Sequence, residues 1–235
     1  MVLAFLYDAL VMFGDSTSTI LLPVFGGQGV LSYDTEGTAK RLALYTSFPF
    51  GGVLYEACYD AFQRELRSLP SDLVERVRIC ATDFKEKASI LNPIHEQYIS
   101  NPVISGTTLL LHQMLQYLYF IEKFDSETNG CPLEKKFQEN TRKKVGILGF
   151  SSGILAAAVV AASRTKLDVI KHAVEAYRLA FWIGVRVQLF CANTQSYQNS
   201  NPWALVIFSN ESDVEKFVLV FNKVGVSVSL LFLHL

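Results

Sequence analysis

The apolar residues of this chain form two kinds of run, short continuous ones and longer ones with helical spacing. The short runs are rich in leucine and β-branched residues, which is typical of buried strands; they lie at 19–29, where a glycine loop follows, and at 145–150 and 202–210. The longer runs predict helices at 51–69, 103–124, 152–163, 167–184 and 211–223. The helix at 103–124 is apolar on most faces, so we expect it to be buried. This alternation of strands and helices predicts an α/β fold with a largely parallel sheet covered on both faces.

Composition and charge limit the classes of function. Half of the 235 residues are apolar, so the chain can bury a sizeable core. The formal net charge is -1 and the dense basic residues are confined to 142–144, which argues against a nucleic-acid partner. The 4 cysteines show neither CxxC nor Cys/His spacing, so we predict no metal site and no disulfide framework. A reducing, cytoplasmic location is expected.

The first residues of the chain raise the question of a targeting signal. Residues 1–16 are strongly apolar, but they lack a positively charged start and carry Asp8 inside the run, so we do not expect a secretory signal. No apolar stretch reaches the roughly 18 residues that a membrane-spanning helix needs. We therefore expect a soluble protein with no membrane partner, in which 1–18 is an atypical N-terminal segment.

The sequence GFSSG at 149–153 places Ser151 between two glycines, after a predicted strand and before an alanine-rich helix. A strand, G-x-S-x-G and a helix are the context of a nucleophile elbow. Gly149 and Gly153 lack a Cβ atom, which allows a tight turn and close packing of the helix on the strand. The start of the helix directs free backbone N–H groups toward negative charge that develops beside Ser151. The alternative is one polar residue in an ordinary connection.

Three stretches in this order, FGGQG at 25–29, NPVISGTTLLLHQ at 101–113 and GFSSG, resemble the acyltransferase superfamily. More narrowly, the chain is similar to the starter-unit acyl-carrier-protein transacylase domain of fungal non-reducing polyketide synthases, from about residue 21 to about residue 222. The resemblance implies an acyltransferase-like, α/β-hydrolase-like large subdomain with a parallel sheet. By residue ranges, it implies that subdomain at 19–200, the first strand and helix of a ferredoxin-like small subdomain at 201–223, and a divergent tail at 224–235.

The resemblance also implies roles for single residues. Ser151 takes the position of the nucleophile, where many starter transacylases have cysteine, and Phe150 takes a position where the superfamily often has histidine. The oxyanion hole would consist of the backbone N–H groups of Gln28 and Ser152. Phe150, Gln113 and Ile183 are candidates for the acyl pocket, although Gln113 fits a helix-capping or an inter-helix hydrogen bond equally well.

The family pattern bears on the substrate as well. Extender-loading acyltransferases have an arginine in the helix after the nucleophile helix, and it pairs with the carboxylate of malonyl groups. Ile183 aligns with that position, so the resemblance implies an uncharged acyl group, acetyl or longer, although Arg178 and Arg186 lie nearby in sequence. It further implies acyl-CoA as substrate, an acyl carrier protein with its phosphopantetheine arm as partner, and no permanently bound cofactor or metal.

A serine nucleophile needs a base that takes its proton, and the sequence does not clearly supply one. In the family the catalytic histidine lies downstream of the segment that resembles 202–223, so we expect this chain to lack it. A structural role is expected for His112 and His172, and a terminal polar role for His234; the remaining histidine is His95. Two alternatives to an active transacylase therefore stay open. One is an impaired fragment that only binds acyl-CoA or carrier protein, and the other is a serine esterase or thioesterase that uses Asp213 and His234.

Overall fold

The computed structural model describes residues 10–13, 20–27, 40, 43–92, 98, 100–127 and 147–193. The chain divides into two compact units, Met1–Ala192 and Asn193–Leu235, and the description that follows concerns the first. Gln28, His95, His234 and everything predicted for 202–235, including the small subdomain and the tail, lie outside the described residues. The predicted domain boundaries remain predictions.

Helices predominate among the described residues. The strands are β1 (Leu10–Phe13), β2 (Ile20–Phe25) and β3 (Leu148–Gly149). The α-helices are α1 (Pro49–Ser68), α2 (Ser71–Val77), α3 (Pro102–Glu127), α4 (Gly153–Ala162) and α5 (Lys166–Asn193). Two short 3-10 helices, Ala81–Phe84 and Lys87–Ile90, connect α2 to the segment before α3. Four of the five helices predicted from apolar spacing therefore form close to their predicted positions, and the fifth, at 211–223, lies outside the described residues.

The described strands form a sheet in the order β1-β2-β3. The pair β2 and β3 is parallel, with Val24 opposite Leu148 and Phe25 opposite Gly149, which agrees with an α/β fold. The pair β1 and β2 is antiparallel, from Leu10 opposite Pro23 to Phe13 opposite Ile20, so the expectation of a largely parallel sheet needs correction here. Residues inside the atypical N-terminal segment supply the extra strand, because their apolar run can pair with the edge of β2.

Helix α3 lies at the centre of the core, as its apolar character predicted. Its side chains from Val103 to Ile121 are buried on most faces, and those of Val103, Leu115 and Leu118 are 0% exposed. An aromatic cluster joins α1 to its neighbours: the ring of Phe62 lies 5.1 Å from that of Phe84 and 5.7 Å from that of Phe181, measured between centroids. Burial of such large apolar side chains dominates the stability of a domain.

Helix α5 is longer than the sequence pattern predicted. The prediction ended it at Gly184, whereas the helix continues to Asn193. A Cβ atom on Gly184 would lie 2.5 Å from the Cα atom of Val103 and 2.7 Å from the carbonyl oxygen of Pro102. This glycine therefore permits close approach of α5 to α3, and it does not end the helix.

The start of α5 is fixed by two reciprocal hydrogen bonds. The Asp168 N–H donates to Oγ1 of Thr165 at 3.1 Å, and the Thr165 N–H donates to Oδ2 of Asp168 at 3.1 Å. This arrangement is a capping box, which satisfies backbone donors that a helix otherwise leaves free. The hydrogen bond with Thr165 and those from the backbone lower the pKa of Asp168 despite partial desolvation.

A buried carboxylate joins α1 to α5. Glu65 is 7% exposed, and its two oxygens accept hydrogen bonds from Nε of Arg178 at 2.5 Å and from Nε1 of Trp182 at 2.7 Å. Arg178 also pairs with Glu175 at 3.0 Å. Burial raises the pKa of Glu65, but the hydrogen bonds and the guanidinium charge outweigh it, and the pKa lies below its ordinary value.

Candidate active site

Ser151 lies on a sharp turn between β3 and α4. Its φ angle is 54°, in the left-handed region that residues other than glycine seldom adopt, and its side chain is exposed. The Gly153 N–H donates to the carbonyl oxygen of Phe150 at 2.9 Å, and the Ile154 N–H donates to that of Ser151 at 3.1 Å, so the turn leads directly into the helix. Strained backbone of this kind costs about 1–3 kcal/mol and is concentrated at functional sites.

The glycines on either side of Ser151 bring α4 against the sheet. A Cβ atom on Gly149 would lie 2.6 Å from the carbonyl oxygen of Gly153 and 2.8 Å from Cβ of Ala157. A Cβ atom on Gly153 would lie 2.4 Å from the carbonyl oxygen of Phe25. Neither position has room for a side chain, so this packing requires glycine at both.

The loop after β2 lies directly against Ser151. The Phe150 N–H donates to the carbonyl oxygen of Phe25 at 2.9 Å. A Cβ atom on Gly27 would lie 2.9 Å from Cβ of Ser151 and 3.4 Å from its Oγ. The loop with GGQG and the turn with GFSSG, far apart in sequence, therefore meet at this serine.

Of the two backbone donors that the resemblance implies for an oxyanion hole, the structure describes one. Ser152 directly precedes α4, and its N–H makes no hydrogen bond to another residue of the described part of the chain. Gln28 follows Gly27 but is itself outside the described residues. The start of α4 carries the positive end of the helix dipole, which favours negative charge beside Ser151.

Gln113 reaches the same loop from α3. It is 2% exposed, and its Nε2 donates a hydrogen bond to the carbonyl oxygen of Gly26 at 2.7 Å. Its Oε1 has no hydrogen-bond partner within the described part of the chain. Tyr117, one turn further along α3, packs edge-on against the ring of Phe25 at 6.0 Å, and burial raises its pKa well above the ordinary value. These contacts pack α3 against the end of β2 and the loop that follows it.

The other predicted pocket residues are more open. Phe150 is 59% exposed, and Ile154 on the next turn is exposed to the same extent. Ile183 is 46% exposed and shares a face of α5 with Leu179 and Val187, which are also exposed. The assignment of Phe150 and Ile183 to an acyl pocket stays a prediction.

The described histidines do not approach Ser151 through a hydrogen bond. His172 has its Nδ1 3.0 Å from Oγ of Ser163, which follows the last residue of α4. Ser151 lies just before the other end of this ten-residue helix. At the usual rise per residue, the two ends of α4 are about 15 Å apart. His112 is half-buried on α3.

Two further observations concern metal ions and membranes. No three or more of their His, Cys, Asp and Glu side chains meet in a cluster that suits a metal ion. Nor does any helix among them combine the length and the apolar character that crossing a membrane requires.

The sequence pattern did not indicate two of the contacts that build this site. Gly27 was noted as part of a glycine loop, yet its contact with Ser151 arises from the pairing of β2 with β3. The hydrogen bond from Gln113 to Gly26 spans 87 residues, and no local pattern indicates it. The glycine pair at 26–27 was the one available sign that two chain segments approach closely there.

Comparison with known proteins places the chain in a family. A family model described as "Starter unit:ACP transacylase in aflatoxin biosynthesis" matches residues 23–226. Orsellinic acid synthase armB of Armillaria mellea is 36% identical over 211 residues, which are 87% of this chain and 9% of that protein. An orsellinic acid synthase of Beauveria bassiana is 30% identical over 173 residues, 72% of this chain and 7% of that protein. Non-reducing polyketide synthase spyA of Aspergillus fumigatus is 28% identical over 134 residues, 57% of this chain and 7% of that protein.

The chain thus spans less than a tenth of the length of each of these three fungal relatives. No solved structure matches it. The family model covers most of the chain and runs from inside β2, through the turn at Ser151, to beyond the end of α5. The chain belongs to the starter unit:ACP transacylase family.

Proposed function

We propose that this chain takes an uncharged starter acyl group from acyl-CoA and passes it to the phosphopantetheine thiol of an acyl carrier protein, by way of an ester on Ser151. The family's description names both the starter unit and the acyl carrier protein, and relatives are named as polyketide synthases. The observation that carries the proposal is the turn at Ser151. Its left-handed backbone leaves the serine exposed, and Gly27 lies beside it.

In the first half-reaction, Oγ of Ser151 bonds to the thioester carbonyl carbon and its proton passes to a base. The carbonyl oxygen becomes an oxyanion, which the N–H groups of Ser152 and Gln28 would stabilise together with the helix dipole. Collapse of this intermediate breaks the carbon–sulfur bond, and the CoA thiolate takes up a proton. In the second half-reaction, the carrier thiol attacks the ester and Ser151 leaves with its proton restored.

The preference for an uncharged acyl group has support from the surroundings of Ile183. Arginine pairs well with carboxylates, and two arginines lie near Ile183 in sequence, Arg186 three residues after it and Arg178 five residues before it. Of these two, Arg178 forms ion pairs within the described part of the chain. Its guanidinium is already bound to Glu65 and Glu175, so it is committed to a structural ion pair. A malonyl carboxylate would therefore have no partner at Arg178, and an acetyl or longer alkyl group needs none.

A second candidate is a chain that binds acyl-CoA or the carrier protein without transferring the acyl group. The observation in its favour is the position of His172, which is bound to Ser163 at the far end of α4. Serine is a weak nucleophile without a base, and the rate of acylation therefore separates the two candidates.

The test is intact-mass spectrometry of the purified chain after incubation with acetyl-CoA, hexanoyl-CoA or malonyl-CoA. An acyl adduct from the first two that is absent in Ser151→Ala and retained in Ser163→Ala supports the proposal. A folded chain without an adduct refutes it and supports the binding role. Strong labelling by malonyl-CoA alone refutes the uncharged-substrate part.

The carrier protein decides between transferase and hydrolase. The proposal requires that the adduct disappears when phosphopantetheinylated carrier protein is added, and that the carrier gains the acyl group. Release of free acid at the same rate with and without the carrier protein indicates an esterase or thioesterase instead.

A further inference from the structure

We propose that Gln113 is a positioning residue for acyl transfer: its amide holds the carbonyl of Gly26, and this fixes the Gly26–Gly27 peptide beside Ser151. The catalytic part of this inference rests on the proposed function. Gln113 was considered above as a pocket residue or an inter-helix contact, and its hydrogen bond assigns it a different partner, the loop after β2.

The environment of Gln113 makes its polarity costly. It is 2% exposed, and the next two residues of α3, Met114 and Leu115, are buried apolar side chains. A buried polar group left without a partner costs about 1–3 kcal/mol, and Oε1 of Gln113 has none within the described part of the chain. The single contact that offsets this cost among the described residues is the hydrogen bond from Nε2 to the Gly26 carbonyl at 2.7 Å.

With this hydrogen bond, two consecutive peptide groups, Phe25–Gly26 and Gly26–Gly27, are each held by another part of the chain. The carbonyl of Phe25 accepts the Phe150 N–H at 2.9 Å, so the turn at Ser151 holds the first group. The carbonyl of Gly26 accepts Nε2 of Gln113, so α3 holds the second. The described chain has no cis peptide bond, and in a trans peptide the C=O and N–H point in opposite directions. Gln113 therefore also sets the direction of the Gly27 N–H.

The orientation of this peptide matters because glycine pairs rotate easily. Neither Gly26 nor Gly27 has a Cβ atom to restrict its backbone, and Gly27 lies in van der Waals contact with Ser151. If the Gly26–Gly27 peptide turned over, its carbonyl oxygen would point away from α3. A peptide dipole this close to Ser151 contributes to the field at the negative charge that would develop there, and the sign of that contribution depends on which way the peptide is turned. Gln113 holds the peptide in one orientation.

The first test compares two variants of α3 that each remove one buried side-chain hydrogen bond to a distant carbonyl. Gln113→Met removes the bond to Gly26 and roughly keeps the side-chain volume. Thr108→Val removes the bond from Oγ1 to the Ile90 carbonyl, which is 3.0 Å long and lies in another part of the fold. We expect Gln113→Met to lower the kcat of acylation about 10- to 100-fold with KM within about threefold, since a misplaced donor affects the transition state. Thr108→Val should lose thermal stability and keep kcat.

The second test does not depend on activity. Backbone amide order parameters from NMR relaxation report the mobility of Gly26 and Gly27 directly. We expect them to fall in Gln113→Met from about 0.85 toward about 0.6, the range of flexible backbone, and to stay unchanged in Thr108→Val.

Three outcomes are separable. Unchanged order parameters in Gln113→Met, or a kcat equal to that of the wild type, overturns the positioning role. A kcat loss of equal size in Thr108→Val also overturns it, because the effect is then one of general stability. A wild-type chain that takes up no acyl group refutes the proposed function and with it the catalytic role, while a fall in the order parameters of Gln113→Met still establishes that Gln113 holds the loop.

Discussion

The contact between Gly27 and Ser151 leads to a quantitative prediction for Gly27→Ala. The φ angle of Gly27 lies outside the region that disfavours L-residues, so alanine can adopt the backbone there without strain. What the methyl group meets is Ser151, since its Cβ would lie 2.9 Å from the serine Cβ. Carbon atoms in contact are usually about 3.5–4.0 Å apart, so the loop and the serine must separate by about 0.6–1.1 Å.

This displacement falls on the proposed nucleophile. A misplacement of about 1 Å in a catalytic group costs about 100-fold in rate, which corresponds to about 2.7 kcal/mol of barrier. Ser151 is exposed and can move toward solvent, so we expect the free energy of unfolding to fall by less than about 1 kcal/mol, or about 2–4 °C in Tm for a chain of this size.

The assay is the initial rate of CoA release from acetyl-CoA or hexanoyl-CoA, with thermal unfolding of the same samples. Gly52→Ala is the matched control, because it adds the same methyl group to α1, where the nearest atom is the carbonyl oxygen of Thr46 at 3.3 Å. We expect that variant to keep its activity and to gain up to about 1 kcal/mol from helix propensity. A Gly27→Ala chain that retains acylation within about threefold of wild type would falsify the placement of Ser151 under this loop.

Two further predictions concern stability. Glu65→Gln should lower the free energy of unfolding in urea by about 1–3 kcal/mol at pH 7, because Arg178 and Trp182 lose a charged partner. The pKa of Glu65 is lowered in the folded chain, so this difference should be complete above the ordinary glutamate value of about 4.3 and be lost as the pH falls from there through the lowered pKa; a difference that stays constant while the carboxyl becomes protonated would contradict the ion pair. Thr165→Val should cost about 1 kcal/mol by thermal unfolding, since it removes the capping oxygen of α5. An unchanged Tm would show that the capping box contributes nothing.

The local sequence pattern was sufficient to predict α1, α3 and the turn at Ser151. The spacing of Leu54, Cys58, Phe62 and Leu66 predicts α1, and each of these residues is buried. The apolar faces of α3 predict its central position for the same reason, because a helix without a polar face has to be covered on all sides. The G-x-S-x-G spacing locates the turn at Ser151 because few residue types tolerate that backbone.

Contacts over long sequence distances account for what local pattern missed. A glycine near the end of an apolar run is an ordinary helix stop, and only the position of Val103 explains why Gly184 lies inside α5. The pairing of β1 with β2 depends on an edge that 20–25 offers after folding, so the apolar N-terminal run alone could not indicate it. The contact between Gln113 and Gly26 joins residues 87 positions apart, and sequence spacing carries no information about it.

The left-handed backbone at Ser151 has a consequence for how this family can diverge. A residue with a side chain held at a φ of 54° reduces stability, and replacement by glycine would relieve that cost at once. Selection for stability alone therefore favours glycine at this position, whereas the proposed use of the hydroxyl as a nucleophile opposes it. If Ser151 is the nucleophile, it should be among the first residues of the turn to be lost in a lineage in which acyl transfer has ceased.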